Sequence, residues 1–273
     1  MSSGLEWQLI AELLALGCCT GFLAGLLGVG GGMMLVPFVT IILSHRGVTP
    51  AFAVKMAIAT SMATILFTSL SSLFAHHRLG AVRWDLVQSL SPGIVGMSLV
   101  TGAFIFPLVR GSLLALCFAG FVGFSATQML LDRKPAPSRQ MPGRVGRVGA
   151  GALIGLLSGL VGAGGAFISV PFMTWCNVPI RNAVATSAAL GFPIALASTI
   201  GNLIGGRHLP NALPGALGYL YLPALAVLAS VSVLMAPWGA MAAHRMDTRK
   251  LKRLFALLLY GLASYMLFKG LAG

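Results

Sequence analysis

No charged residue occurs between Leu13 and Ser44, and glycines interrupt this stretch in the sequence GLLGVGGGMMLVPF at positions 25–38. Apolar runs of this length are typical of membrane-spanning helices, which need about 20 apolar residues to cross the hydrocarbon core. Each glycine costs a helix about 0.8–1 kcal/mol relative to alanine, so the run Gly28–Gly32 predicts an unwound segment. Backbone groups in such a segment then need protein, water or a ligand as hydrogen-bond partners, because the lipid supplies none.

The composition agrees with a membrane location. Hydrophobic residues make up 57% of the 273-residue chain and charged residues only 8%, whereas a soluble domain carries about 25% charged residues. The apolar stretches are longer than the roughly 10-residue alternating segments of an outer-membrane barrel. The sequence therefore predicts an all-α polytopic membrane protein.

The net charge of +13 comes largely from two short basic segments, at 133–147 and 245–253, which lie between apolar stretches. This distribution is typical of cytoplasmic loops that also contact anionic lipid. We therefore expect membrane lipid as a partner, and no nucleic acid.

The glycine-rich stretch is repeated. Residues 159–172 read GLVGAGGAFISVPF and are identical to residues 25–38 at eight of fourteen positions. A second match relates AIATS at 57–61 to AVATS at 183–187. The chain is therefore predicted to be a duplication within one integral domain: a first membrane repeat at 1–132, a basic Pro/Arg-rich linker at 133–147 and a second repeat at 148–273.

Each repeat offers five apolar segments, which gives about 8–10 membrane segments in total. They are expected at 8–28, 31–44, 51–75, 86–108 and 112–131, and at 148–162, 165–177, 182–204, 214–241 and 254–271. The segment that follows each glycine loop has about 13 residues and reaches about 20 Å of the roughly 30 Å core. Each repeat should therefore contain a glycine-interrupted pair of a helix and a half-helix.

Positive charge predicts how the repeats are oriented. The linker and the segment 244–253 each contain five Lys or Arg residues, so both are expected in the cytoplasm. An even number of membrane crossings must then separate the linker from the segment 244–253. Each repeat therefore has an odd number of crossings, so the two repeats are inverted relative to each other. Both termini are then expected on the periplasmic or extracellular side. Inverted repeats with interrupted helices are typical of secondary transporters.

The paired G-x-x-G-x-G-G…V-P-F blocks and the A-T-S motif resemble those of the sulfite exporter TauE/SafE family, also called the toluene sulfonate uptake permeases. The resemblance covers nearly the whole chain, including the C-terminal sequence GAMAAHRMDTRKLKRLFALLL. It implies a multi-pass protein of the bacterial inner membrane that transports sulfite, sulfonates such as sulfoacetate, or related small organic anions. The family's substrates vary, so the resemblance leaves the particular anion open.

The glycines indicate where such an anion would bind. We expect Gly28–Gly32 and Gly162–Gly165 to form unwound loops that meet near mid-membrane, with their N–H groups and the following helix N-termini facing the anion. The alternative is that these glycines serve close helix packing. Lys55 and Arg181 precede the matched A-T-S blocks and would attract the anion from opposite sides, unless they are cations that snorkel from helix ends.

Polar side chains recur along the two predicted helices that contain Lys55 and Arg181. Thr60, Thr64, Thr68 and Ser72 recur at four-residue spacing, and Thr186, Ser187, Ser198, Thr199 and Asn202 form a looser counterpart. Such side chains either line a substrate path or form hydrogen bonds with their own helix or with a neighbouring helix. The predicted substrate-binding set is therefore Gly28, Gly30, Gly31, Gly32, Gly162, Gly164, Gly165, Lys55, Arg181, Thr60, Ser61, Thr186 and Ser187.

The acidic residues limit the mechanism. The chain contains five carboxylates, of which only Glu12 lies in a predicted membrane segment, near its end. A proton relay through a buried carboxylate is therefore not expected, although the coupling ion, sodium or proton, stays open. A membrane potential of about 100 mV favours export of a monoanion by about 2.3 kcal/mol without any coupling ion.

We therefore expect a secondary transporter that exports small anions. The alternatives are an anion channel and an uptake permease coupled to a cation. No P-loop or dinucleotide-binding pattern, metal-spaced histidine cluster or paired catalytic carboxylate occurs, so neither an enzyme nor a cofactor or metal is expected. A homo-oligomer stays open.

Overall fold

The computed structural model describes residues 2–27, 31–78, 80–131, 140–209, 213–243 and 248–272. In these residues the chain is almost entirely helical. The first half contains α1 (Ser2–Leu27), α2 (Gly32–His45), α3 (Pro50–Arg78), α4 (Trp84–Val100), a π-turn (Thr101–Ile105), α5 (Phe106–Leu108) and α6 (Gly111–Leu131). The second contains α7 (Arg144–Val161), α8 (Ala166–Trp175), α9 (Ile180–Gly206), β1 (Ala216–Leu217), β2 (Leu220–Tyr221), α10 (Leu222–Ala243) and α11 (Thr248–Leu271).

Within the described ranges six helical segments are long and apolar enough to cross a membrane, which confirms the predicted all-α polytopic membrane fold. They are Pro50–Arg78, Trp84–Leu108, Gly111–Leu131, Arg144–Val161, Ile180–Gly206 and Leu222–Gly239. The segment Trp84–Leu108 joins α4, the π-turn and α5 into one span.

The helix after each glycine loop is short, as the sequence predicts. Helix α2 has 14 residues and α8 has 10. At 1.5 Å per residue they reach about 21 Å and about 15 Å, less than the roughly 30 Å hydrocarbon core. Each loop is therefore followed by a half-helix.

Four helix starts differ from the sequence prediction by four residues or more: those of α1 and α11, which begin six residues earlier than expected, at Ser2 and Thr248, and those of α10 and α7. The segment expected at 214–241 becomes helical only at Leu222, because the preceding residues form a hairpin in which Ala216 pairs with Tyr221 and Leu217 with Leu220. Gly215 and Gly218 adopt positive φ angles of 80° and 57° there, which turns the chain tightly. The last linker residues are also helical, since α7 begins at Arg144, while positions 133–139 of the linker lie outside the described residues.

Helices of the first half of the chain pack against helices of the second half. Helices α3 and α9 contact one another and are the most buried of the six candidate spans. Around them α1 packs on α10, α4 on α7, and α6 on α11. When helices are matched by the sequence repeat, α1 corresponds to α7 and α4 to α10, so the α1–α10 and α4–α7 contacts are equivalent. Each joins one half of the chain to the other.

The α4–α7 contact depends on small residues. A methyl group at Gly93 of α4 would collide with the Val148 carbonyl oxygen of α7, and one at Gly151 of α7 would collide with the Leu90 carbonyl oxygen of α4. Glycine at both positions therefore lets the two backbones approach closely, as is common between membrane helices.

Candidate functional site

The two glycine loops touch each other. A methyl group at Gly32, the first residue of α2, would lie 2.7 Å from the carbonyl oxygen of Gly162. Gly31, Gly162 and Gly165 have φ angles of 64°, 75° and 74°, in the left-handed region that favours glycine. The helix is therefore interrupted, as predicted, at Gly31 and at 162–165, and the start of α2 contacts the second glycine loop, whereas Gly28 and Gly30 lie outside the described residues.

Isoleucines of the central helices cover the contact between the loops. Ile65 of α3 lies against both loops: a methyl group at Gly32 would lie 2.5 Å from its Cδ1 atom, and one at Gly164 would lie 3.4 Å from its Cγ2 atom. Ile194 of α9 lies equally close to Gly165. Close packing therefore explains part of the glycine content, alongside the loop conformation.

Helix N-termini converge on the loops. Helices α2 and α8 begin at Gly32 and Ala166, and neither has a side-chain cap. Their first N–H groups have no carbonyl partner within the helix and carry partial positive charge. Glu12 and Asp85, the two carboxylates whose side chains the structure describes, are both exposed. Neither of these two carboxylates is therefore buried at the loops, where it would repel an anion.

The threonines of the two A-T-S motifs make equivalent contacts. Thr60 Oγ1 accepts a hydrogen bond from the Tyr221 N–H at 3.1 Å, and Thr186 Oγ1 accepts one from the Arg83 N–H at 3.0 Å. Tyr221 and Arg83 immediately precede α10 and α4, so each threonine holds the start of a helix in the other half. Each hydroxyl hydrogen can still donate to another group.

The serines of the motifs differ. Ser187 Oγ lies 2.7 Å from Ser169 Oγ, and Ser169 donates to the Gly165 carbonyl at 2.9 Å, which ties α9 to the second glycine loop. In the first half the position that matches Ser169 is Leu35. Ser61 is fully buried, and its Oγ has no hydrogen-bond partner among the described residues.

Ser61 belongs to the face of α3 that covers the loops. It lies between Ile65 and Ile58, and a methyl group at Gly162 would lie 3.2 Å from the Ile58 Cγ2 atom. Residues three and four apart share a helix face. The unpartnered hydroxyl of Ser61 is therefore beside the point where the two loops meet.

Ser158 is a site residue that the sequence analysis missed. It is 1% exposed, its Oγ has no partner in the described part of the chain, and a methyl group at Gly165 would lie 3.1 Å from that atom. Ser158 directly precedes the repeated GLVGAGG block, where the first repeat has Ala24. Comparing the residues that flank the repeat could have singled it out.

Lys55 is half-buried between α5 of its own half and the hairpin of the second half. Its Nζ donates to the Pro107 carbonyl at 2.9 Å and lies 5.6 Å from the ring centroid of Tyr219. Burial raises the pKa of Tyr219, which therefore stays a neutral phenol beside the ammonium group. Among the described residues the one ion pair joins Arg83 and Asp85 at 2.7 Å, so no described carboxylate neutralises Lys55.

Arg181 has a different environment from Lys55, although the repeat matches the two positions. Its side chain is exposed at the start of α9. The next residue, Asn182, donates to the Ala81 carbonyl at 2.9 Å and so fixes this end of the helix to the first half. The structure therefore makes Lys55 the stronger candidate for attracting an anion.

Two of the regularly spaced polar side chains of α3 donate hydrogen bonds to carbonyl groups of their own helix. Thr64 Oγ1 donates to the Thr60 carbonyl at 2.9 Å, and Thr68 Oγ1 donates to the Ile65 carbonyl at 3.3 Å. These contacts favour the own-helix alternative over a substrate path for these two residues. The α9 counterpart differs, because Ser198, Thr199 and Asn202 are buried without a partner in the described part of the chain.

Comparison with known proteins agrees with the resemblance. The family model described as Sulfite exporter TauE/SafE matches residues 13–266. A "Probable membrane transporter protein" of Haemophilus influenzae is 34% identical, over 94% of this chain and 97% of its own length. A protein of Methanocaldococcus jannaschii with a similar name is 25% identical, over 95% of this chain and 96% of its length. No solved structure matches the chain.

Proposed function

Since the chain belongs to the sulfite exporter TauE/SafE family of membrane transporters, we propose that it is a secondary transporter of a small sulfur-containing or organic anion. Sulfite, a sulfonate and sulfoacetate are the candidate substrates. The observation that carries the proposal is the contact between Gly32 and Gly162, which brings the two glycine loops together beside two buried, unpartnered hydroxyl groups.

The donors around the loops fit an oxyanion. Ser158 Oγ of α7 lies against Gly165, and Ser61 lies on the face of α3 that packs on the loops. The first N–H groups of α2 and α8 add neutral donors with partial positive charge. Hydrogen bonds to a charged acceptor are roughly twice as strong as neutral ones. Neutral donors would thus hold an anion without a full positive charge in the site, which suits a carrier that must also release it.

We propose that Lys55 attracts the anion at one side of the membrane and that transport is outward in a bacterial inner membrane. A potential of about 100 mV, negative inside, favours exit of a monoanion by about 2.3 kcal/mol. Both termini would lie on the outside, and the basic linker at 133–147 in the cytoplasm.

Ligand-induced thermal stabilisation of the purified protein tests the anion site. The panel contains sulfite, sulfate, sulfoacetate, an aryl sulfonate, acetate and phosphate, all as choline salts. A substrate at 100 times its dissociation constant should stabilise the protein by about 2.7 kcal/mol. Ser61→Ala and Ser158→Ala should weaken that stabilisation. Ser125→Ala is the matched control, because this buried serine of α6 donates only to the Phe121 carbonyl of its own helix.

Flux into proteoliposomes then distinguishes a carrier from a channel. A carrier should show saturable flux that is stimulated by substrate on the opposite side, whereas a channel should show neither property. If no anion of the panel stabilises the protein, either as the choline salt or after sodium chloride is added, the proposed site at the glycine loops is wrong.

A further inference from the structure

A group of buried polar side chains lies beside the glycine loops, where the π-turn, α7 and α9 meet. Its members are at most 1% exposed and have side-chain atoms without a hydrogen-bond partner among the described residues: Thr101, Ser158, Ser198 and Asn202. In Asn202 both the oxygen and the nitrogen of the amide lack a partner. A buried polar group without a partner costs about 1–3 kcal/mol, so four of them together indicate a site that binds something.

Close backbone contacts bring these side chains together. A methyl group at Gly159, the neighbour of Ser158, would lie 3.3 Å from Thr101 Cβ and 3.7 Å from Ser198 Oγ. One at Gly102 would lie 2.8 Å from the backbone nitrogen of Asn202. Ser198 and Asn202 are four residues apart and therefore share a face of α9.

The π-turn adds carbonyl oxygens to the same place. The Phe106 N–H donates to the Thr101 carbonyl, five residues back, which is the wide spacing of a π-helix. A methyl group at Gly205 of α9 would lie 2.6 Å from the Gly102 oxygen in the turn, and one at Gly201 would lie 2.8 Å from the oxygen of Leu99, at the end of α4 just before the turn. The turn therefore faces α9 with backbone acceptors, and π-turns of this kind are frequent at functional sites.

The oxygens favour a monovalent hard cation. Hydroxyl, amide and carbonyl oxygens are the ligands that hard cations select, and unwound backbone carbonyls coordinate sodium in secondary transporters. No group of three His, Cys, Asp or Glu side chains that could hold a metal occurs within the described ranges. A site built from neutral oxygens lacks the negative charge that a divalent ion requires.

We propose that Thr101, Ser198 and Asn202, with carbonyl oxygens of the π-turn, form a sodium site. These ligands belong to the π-turn and to α9, and none of them belongs to a glycine loop. This sodium proposal rests on the proposed function in one respect, because the bound cation would attract the anion at the neighbouring loops.

Thermal stabilisation by sodium alone tests the site, with sodium chloride compared with potassium and choline chloride at constant ionic strength and no substrate anion. Sodium should stabilise the full-length protein saturably, and the other two cations should not. Thr101→Val should weaken the apparent sodium affinity about tenfold, as is typical when a residue that supports a metal site is removed. Thr40→Val is the control, since this fully buried threonine donates to its own helix at the Val36 carbonyl.

Asn202→Asp tests the site in the opposite direction, because this substitution should strengthen sodium binding. A carboxylate at this position should raise the affinity for sodium and lower that for any anion bound by the same group. The inference is overturned if sodium and choline act alike on the unaltered protein, or if Asn202→Asp or Thr101→Val leaves sodium stabilisation unchanged. The anion panel in choline salts separates the two proposals, because loss of the sodium effect with anion stabilisation retained defeats the sodium site alone.

Discussion

Thr60 and Thr186 occupy matching positions in the repeat, and each accepts a hydrogen bond from a backbone N–H of the other half. Removing the acceptor by substitution with valine leaves that N–H without its partner, which costs about 1–3 kcal/mol when the group is buried. We expect Thr60→Val to lower the free energy of unfolding more than Thr186→Val, because the Tyr221 N–H is buried whereas that of Arg83 is only partly buried. Thermal unfolding of the two purified variants measures both losses of stability.

Thr64→Val is the control for this pair. The Thr64 hydroxyl donates to the Thr60 carbonyl of its own helix, so its loss strands no backbone donor. A Thr64→Val variant as destabilised as Thr60→Val would show that the contact between the halves is not what stabilises the fold.

Gly165 and Gly164 are adjacent, but a side chain is tolerated at only one of them. Gly165 has a φ of 74°, and a methyl group there would collide with Ile194. At Gly164 the nearest atom would be Ile65 Cγ2 at an ordinary 3.4 Å. Gly165→Ala should therefore cost at least about 1–2 kcal/mol of stability, and Gly164→Ala should leave the melting temperature near that of the unaltered protein. Equal melting temperatures would contradict the described loop conformation.

The positions of the glycine loops were predicted from the sequence, but only some of the polar side chains around them were. Glycine is required locally for a positive φ, so the repeated blocks identified both loops and the short helices that follow. Ser61 was identified through its motif, but Ser158 and Asn202 were not assigned to the site. Their importance depends on missing partners, and that follows only from which side chains of other helices come close.

At the level of helices, the α4–α7 contact depends on where the glycines face. Gly151→Leu in α7 should destabilise the protein, because its side chain would collide with the Leu90 carbonyl oxygen. Gly149→Leu, in the same helix, should be nearly neutral, since nothing lies within 4 Å of a methyl group at that position. Thermal unfolding of the two variants in one detergent measures the difference, and equal losses would argue against glycine-dependent packing.

Most helices were predictable as elements, since long apolar runs with terminal glycines, prolines or charges define them. The hairpin before α10 and the π-turn were not predicted. The sequence TGAFI at 101–105 reads as ordinary helix, and its wide turn coincides with Gly102 packing against the α9 backbone. A tertiary contact of this kind leaves no periodic pattern in the sequence.

For the whole molecule, the distribution of Lys and Arg predicts opposite sides for the linker and the C-terminus. Gln140 and Ala272 are both exposed, so cysteines at these positions, in a protein whose four native cysteines are replaced, report on each side. An impermeant maleimide should label Ala272→Cys in intact cells and Gln140→Cys only after the cells are broken. The reverse pattern would overturn the predicted orientation of both repeats.

The contact between α1 and α10 has a consequence for how the protein is made. Leu222, the first residue of α10, follows the last residue of α1 by 195 positions. At a translation rate of about 5–20 residues per second, α1 is synthesised about 10–40 seconds before its partner. Helix α4 similarly precedes its partner α7 during synthesis. The early helices therefore depend on the insertion machinery or on lipid until the second half arrives, and a ribosome that stops early releases a product that cannot complete its own fold.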